Sequence, residues 1–303
     1  MIKVGCCGYP VAMHQYYASF RLVEINKTFY EIPKTTTVGK WRETAPADFE
    51  FTVKANKSIS HQHKLDTTEP CLKAFEQTKI ICKLLKAKIL LIQTAASFTP
   101  DRLDVAKKFF KTISRDDLLI MWETRGPEWE TPNVRRRLTD MLREVNVSHV
   151  TDPFKVLPAY TNKVAYFRLH GAGKTMYYYQ YTNEELEKLK TVAGVFEEKG
   201  KETYVLFNNL TMFDDAVRFQ QFLQKGEFPR ITSKAGLDSV RAVIEKTRYP
   251  VTKTILHKRL GWRLVELEDG KQARLDDLIR GLPRKTYKSP EDVLTAIKQL
   301  KET

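Results

Sequence analysis

The stretch "AYFRLHGAGKTMYYYQY" (165–181) begins as an apolar, strand-like run and places Arg168 and His170 two residues apart. Successive side chains of a strand point to opposite faces, so Arg168 and His170 share one face while Phe167 and Leu169 share the other. The run breaks at Gly171 and Gly173 and ends in Tyr177, Tyr178, Tyr179 and Tyr181. A cation and an imidazole on one face of an otherwise apolar strand predict a polar site there, because buried polarity left unpaired is destabilising.

Seven further runs have the same strand-like character: "IKVGCC" (2–7), "RLVEINKTF" (21–29), "FEFTVKA" (49–55), "KILLIQT" (88–94), "LLIMWET" (118–124), "SHVTD" (148–152) and "TYVLFNN" (203–209). Between them lie amphipathic segments at 70–86, 101–114, 132–145, 183–199 and 212–224, with apolar residues at 3-and-4 spacing. Strand and helix alternating in this way predict an α/β fold, a (β/α)8 TIM-like barrel over residues 1–227. From 228 the pattern changes to short helices around "WRLVELEDG", a small, mostly helical and basic domain over 228–303.

In a parallel barrel the chemistry collects at the carboxyl ends of the strands. Seven of the eight runs finish in polar side chains, which period-2 alternation turns inward as one ring. Glu24 and Asn26 come from the second run, Lys54 from the third and Gln93 from the fourth. Glu123 with Arg125 follows from the fifth, Asp152 from the sixth, Arg168 and His170 from the seventh, and Asn208 and Asn209 from the eighth.

The net charge is +14, from 51 Lys and Arg against 37 Asp and Glu, which favours polyanionic partners. Residues 228–303 hold 17 Lys and Arg against 10 Asp and Glu, so the last quarter of the chain carries half of the excess. Cys6, Cys7, Cys71 and Cys82 show no CxxC spacing, and the amino terminus has no apolar signal region, which predicts a reduced, cytoplasmic setting. No apolar run approaches the roughly 20 residues of a membrane span.

The series "GCCGYP", "VEINKTFYEIP", "FEFTVKANKSISH", "LLIQTAASF", "YFRLHG" and "VLFNN" resembles the YecE-like family, catalogued as domain of unknown function 72, over about residues 1–226. That resemblance implies the barrel and leaves the activity open. The family is likened in shape to barrel nucleases of the endonuclease IV type, which cut DNA with metal ions, an analogy of fold. Cys6 and Cys7 stand where the family usually has small hydroxyl residues, no Trp lies near Tyr9, and Ala95 and Ala96 replace prolines. The tail resembles the module catalogued as domain of unknown function 2795 through "YPVTK", "LPRKTY" and "SPEDV".

Three functional classes follow. The first is a nucleic-acid-processing phosphodiesterase or nuclease, a hydrolase in which His170, His61 and Glu123 are catalytic. Glu24, Glu123 and Asp152 are its candidate ligands for one divalent metal, Mg²⁺ or Mn²⁺, since six histidines in the whole chain are too few for a histidine-rich trinuclear site. The second is a metal-independent enzyme on a small phosphorylated or carboxylated metabolite, whose anion is held by Lys54, Arg125 and Arg168. The third is a non-catalytic protein that binds DNA or RNA. For the nucleic-acid classes Arg259, Arg263, Arg274, Arg284, Lys285 and Lys288 are a candidate clamp, and the four tyrosines a stacking platform or a lid. "GAGKT" lacks the spacing of a phosphate-binding loop.

Overall fold

The computed structural model describes residues 1–302. The chain divides into two compact units, one of Met1–Leu169 with Lys188–Asn208, the other of His170–Glu187 with the chain from Asn209 onward.

The first unit holds the barrel strands. In chain order the elements begin with β1 (Ile2–Cys7), α1 (Met13–Ser19), β2 (Leu22–Ile25), α2 (Lys27–Tyr30), α3 (Thr35–Thr44), β3 (Glu50–Lys54) and α4 (Glu69–Leu85). They continue with β4 (Ile89–Gln93), α5 (Leu103–Thr112), β5 (Leu119–Glu123), α6 (Pro132–Val145), β6 (Ser148–Val150), β7 (Val164–Leu169), α7 (Asn183–Glu198) and β8 (Glu202–Phe207). The eight strands form one sheet in the order β6-β5-β4-β3-β2-β1-β8-β7, every neighbour parallel. A parallel bridge between Thr151 and Phe167, with the Arg168 amide donating to the Thr151 carbonyl at 3.0 Å, brings the β6 edge to β7 and nearly closes the barrel.

The strands form because their apolar residues are buried on both faces, as a parallel sheet requires. Their inward residues stack in layers. At the amino ends Lys3 donates to Glu50 and Glu202 at 2.8 Å and to the Tyr204 hydroxyl at 2.7 Å. Above it lies an apolar layer that includes Leu22, Ile89, Leu91, Met121, Val150 and Leu206. The helices bury one stripe each: α4 covers Cys71, Phe75, Thr78, Ile81, Cys82 and Leu85 and stops at Lys86, which takes a left-handed conformation with φ 56°.

The expected run 21–29 is shorter than the alternation suggests. β2 ends at Ile25, and Asn26 begins the helical turn α2, so Asn26 is not a second inward strand position beside Glu24. The Thr28 hydroxyl donates both to the local carbonyl of Ile25 at 2.9 Å and to that of Lys54 on β3 at 2.6 Å, folding the chain back after one turn.

The second unit contains α8 (Met212–Lys225), α9 (Gly236–Ile244), β9 (Val251–Thr252), α10 (Lys253–Leu260), β10 (Leu264–Glu266), β11 (Gln272–Arg274), α11 (Leu275–Ile279), β12 (Thr286–Tyr287) and α12 (Pro290–Glu302). The "WRLVELEDG" segment supplies the β10–β11 hairpin, and β9 pairs with β12. Its core is apolar and self-contained, built on residues such as Val243, Leu256, Val265, Leu275 and Ile297. No helix among the described residues is long and apolar enough to cross a membrane.

Candidate active site at the barrel mouth

At the carboxyl ends of β2, β5 and β7 an ion network fills the barrel. Arg168, 1% exposed, donates from Nε to Glu24 Oε2 at 3.1 Å and from Nη2 to Glu24 Oε1 at 2.8 Å. Its Nη1 donates to Glu123 Oε2 at 2.5 Å, and Glu123 Oε1 in turn pairs with Arg125 at 2.6 Å. The Tyr166 hydroxyl, two residues before Arg168 on the same face, donates to Glu24 Oε2 at 2.9 Å and shares a 2.8 Å hydrogen bond with Thr52. Cys7 is inward on β1 opposite Glu24, where burial holds its thiol protonated, far above the usual range, although Arg168 beside it acts the other way.

Arg168 therefore differs from the sequence expectation. It is enclosed by two carboxylates of its own chain rather than presented to a ligand, because Glu24 and Glu123 converge on its fork from both sides. It positions those carboxylates. They in turn differ from the expected metal set: Glu24 gives both oxygens to Arg168, and Glu123 gives one each to Arg168 and Arg125. The third expected ligand, Asp152, caps the turn after β6, accepting from the Phe154 amide at 3.1 Å. Among the described residues no group of three or more His, Cys, Asp or Glu is placed to hold a metal ion.

Lys54 stands apart from this pairing. Its ammonium, in a residue 8% exposed, donates to Gln93 Oε1 at 2.8 Å and lies 4.0 Å from the centre of the Phe29 ring. No ion pair of Lys54 occurs among the described residues. Burial, with the Arg168 charge adding to it, lowers its proton affinity from the ordinary 10.5 to about 8, against the opposing pull of Glu24 and Glu123. His61 also meets Phe29, at 5.0 Å between ring centres, and its Nδ1 lies 2.9 Å from the Ser60 hydroxyl. Burial and the charges of Lys54 and Lys57 lower its proton affinity too. Arg168 and Arg125 are thus the cations paired with Glu24 and Glu123, while Lys54 is held by a neutral acceptor and an aromatic ring.

His170 falls in the second unit, 1% exposed, with its ring 5.9 Å from that of Tyr177. Asn209, also in that unit, donates to Asp215 at 2.6 Å and to the Tyr179 carbonyl at 2.8 Å, anchoring the tyrosine loop to the start of α8. Asn208 continues β8, its amide donating to the Leu169 carbonyl at 2.8 Å. Tyr181 is fully buried and its hydroxyl accepts from the Gly171 amide, while Tyr179 bonds Glu185 and lies under Arg274 at 4.4 Å. Neither is a stacking residue; Tyr177 and Tyr178 are exposed. Gly171 takes φ +87°, and a Cβ there would sit 2.4 Å from that of Tyr179, so glycine is required for this loop to turn back.

In the clamp, Arg263 donates to Gln180 at 3.2 Å and Arg274 to the Gln180 carbonyl at 2.6 Å, so both hold the loop. Arg259, Arg284, Lys285 and Lys288 are exposed. Sequence reasoning missed Tyr166, Phe29 and Cys7 at the mouth; Tyr166 was legible, being two residues before Arg168 on the same face. It also passed over His149, whose Nδ1 accepts from the Ala159 amide and whose Nε2 meets the Thr124 hydroxyl. Burial brings that imidazole down to about 3, so it stays neutral and structural.

Residues 9–236 match the family described as "Protein of unknown function DUF72". The chain belongs to the DUF72 family. It is 25% identical over 240 residues to the UPF0759 protein YunF of Bacillus subtilis, covering 70% of this chain and 85% of that one. A shorter match, 41% identical over 54 residues and covering 18% of this chain and 20% of the other, is to the UPF0759 protein YecE of Escherichia coli. Among solved structures, a DUF72 family protein (EF0366) from Enterococcus faecalis aligns with a TM-score of 0.62 at 25% identity over 74% of this chain and 98% of its own. Another (TM1631), from Thermotoga maritima, aligns with a TM-score of 0.60 at 23% identity over 74% of this chain and all of its own. DUF72 proteins thus share this barrel, and nothing in these likenesses assigns an activity to it.

Proposed function

We propose that the barrel mouth of this DUF72 protein is the active site of a metal-independent enzyme acting on a small carboxylated or phosphorylated metabolite, with Lys54 as its reactive group. The observation that carries the reading is Lys54 itself: a recessed amine without an ion-pair partner among the described residues, against an aromatic ring, beside the Arg168 ion network. Structural lysines are normally paired or solvated; one held dry near neutrality is suited to bind an anion, exchange a proton or attack an electrophile. His61 is the neighbouring proton carrier and Arg125 the partly exposed guanidinium for the substrate's oxygens.

Isothermal titration tests this. Inorganic phosphate is expected to bind the full chain with Kd on the order of 1 mM, and Lys54→Met to weaken it about tenfold or more. Binding that Lys54→Met leaves unaltered would place the anion elsewhere and remove the reading.

A specific observation also favours nucleic acid as a partner of the second unit. Tyr178, 41% exposed, meets Trp262 edge to face at 5.9 Å, Arg263 lies over the indole at 5.5 Å, and Lys174, Lys258 and Arg259 are exposed on the two segments so joined. Aromatic rings beside cations are the elements of a single-strand stacking surface. Labelled single-stranded DNA and RNA are expected to bind with steep salt dependence, and Trp262→Ala to weaken them by about 1–3 kcal/mol. Equal affinity of wild type and Trp262→Ala would discard this surface. Cleavage of those strands that requires Mg²⁺ or Mn²⁺ would restore the nuclease reading in place of the metal-independent one.

A further inference from the structure

We propose that Lys54 forms an imine with a small aldehyde or ketone that also carries a carboxylate or phosphate group. The inference rests on the anion-site reading above and adds the electrophile. Its geometric ground is the way the amine is held. Lys54 closes β3, at the strand ends where a barrel presents its chemistry. It is fixed by one neutral acceptor, Gln93 Oε1, rather than by a carboxylate that would hold it charged. The Phe29 ring covers it at 4.0 Å and keeps water from that side. Its lowered proton affinity leaves roughly a tenth of it as free amine at pH 7, against roughly one part in 3,000 for an ordinary lysine, a ratio of about 300.

The surroundings suit each step. The Nζ lone pair attacks the carbonyl carbon, a C–N bond forms, and the C=O π pair moves to oxygen, which takes up a proton. The nitrogen gives up a proton, for which His61, also against Phe29, is the nearby imidazole. The hydroxyl then leaves with a proton as water and the nitrogen pair closes the C=N bond. The sum is amine plus carbonyl plus one proton giving protonated imine plus water, with no oxidant or reductant. The substrate's anionic group is met by Arg125, whose guanidinium is 21% exposed and is steadied by Glu123, so that the carbonyl is delivered over Lys54. Glu24 and Glu123, locked by Arg168, oppose the positive charge of a protonated imine without themselves being nucleophiles.

The test is reductive trapping on the full chain. Pyruvate, glyoxylate and glycolaldehyde phosphate are each incubated with the protein and sodium cyanoborohydride at pH 7, and adducts are located by peptide mass mapping. Lys54 is expected to be labelled at least tenfold faster than the average of the other lysines, for at least one probe. Inorganic phosphate is expected to slow that labelling, and Lys54→Arg to abolish it while retaining a cation for phosphate. Phosphate binding at the mouth without preferential labelling of Lys54 would overturn the imine and leave the anion site standing. Absence of both would overturn the two together. Preferential labelling that phosphate does not slow would overturn the claim that the carbonyl compound is anionic.

Discussion

Replacement of Arg168 by alanine is expected to destabilise the barrel by about 3–5 kcal/mol, the cost of breaking a buried ion network by removing one partner. Glu24 would lose the guanidinium from both buried oxygens, keeping only the Tyr166 hydroxyl on Oε2, and Glu123 would lose it from Oε2. Lysine at the same position restores the charge but not the fork that holds Glu24 at two points, so Arg168→Lys is expected to recover part of the loss. Urea unfolding followed by circular dichroism reads this directly as a lowered midpoint. A loss below about 1 kcal/mol for Arg168→Ala would mean that the network is solvated or relaxes at little cost. Because Arg168 is enclosed, the substitution is a test of architecture, and ligand affinity is better probed at Lys54.

Lys54→Met is expected to act in the opposite direction, stabilising the folded chain at pH 7 by about 1–3 kcal/mol. The sign follows from linkage. Lys54 has its folded proton affinity lowered to about 8 from the ordinary 10.5, so between those values the unfolded chain binds more protons than the folded one. Stability contributed by this position rises as pH climbs from about 8 toward 10.5, is complete above 10.5, and is lost as pH falls through 8. Wild-type stability should therefore show a component rising over that window that Lys54→Met lacks. Parallel pH profiles for the two proteins would show that the lysine is hydrated in the native state. A residue whose removal stabilises the fold while abolishing anion binding is one kept for function rather than for packing.

Much of the barrel was legible in the sequence because its signals are local. "IKVGCC" coincides with β1, "KILLIQT" contains β4, and the 132–145 and 183–199 patterns match α6 and α7 to within a residue, since period-2 and 3-and-4 spacing each report a single element. Asn26 was misplaced because "EINKTF" keeps alternating after the strand has ended, and the hydrogen bond from Thr28 to the Lys54 carbonyl that turns the chain comes from a different strand. The polar ring was legible as a set of residue types at strand ends. Its pairing was not, because Arg168 meets Glu24 across 144 positions and Glu123 across 45, and sequence spacing carries no information on which cation is enclosed and which is left without a carboxylate. In sequence, Lys54, Arg125 and Arg168 are therefore three equal candidates to hold an anion. The tyrosine loop failed for a related reason: Tyr177 to Tyr181 are alike in sequence, while burial of Tyr181 and the bond from Tyr179 to Glu185 separate them in space.

The measurement that bears most directly on the barrel-mouth site is the titration of Lys54 in the full chain, followed by NMR of reductively ¹³C-methylated lysines and assigned with Lys54→Arg. The Lys54 resonance is expected to titrate near 8, well below the other lysines, and to move upward when inorganic phosphate is added, because a bound anion favours the ammonium. A Lys54 midpoint near 10.5 that phosphate leaves in place would contradict the account.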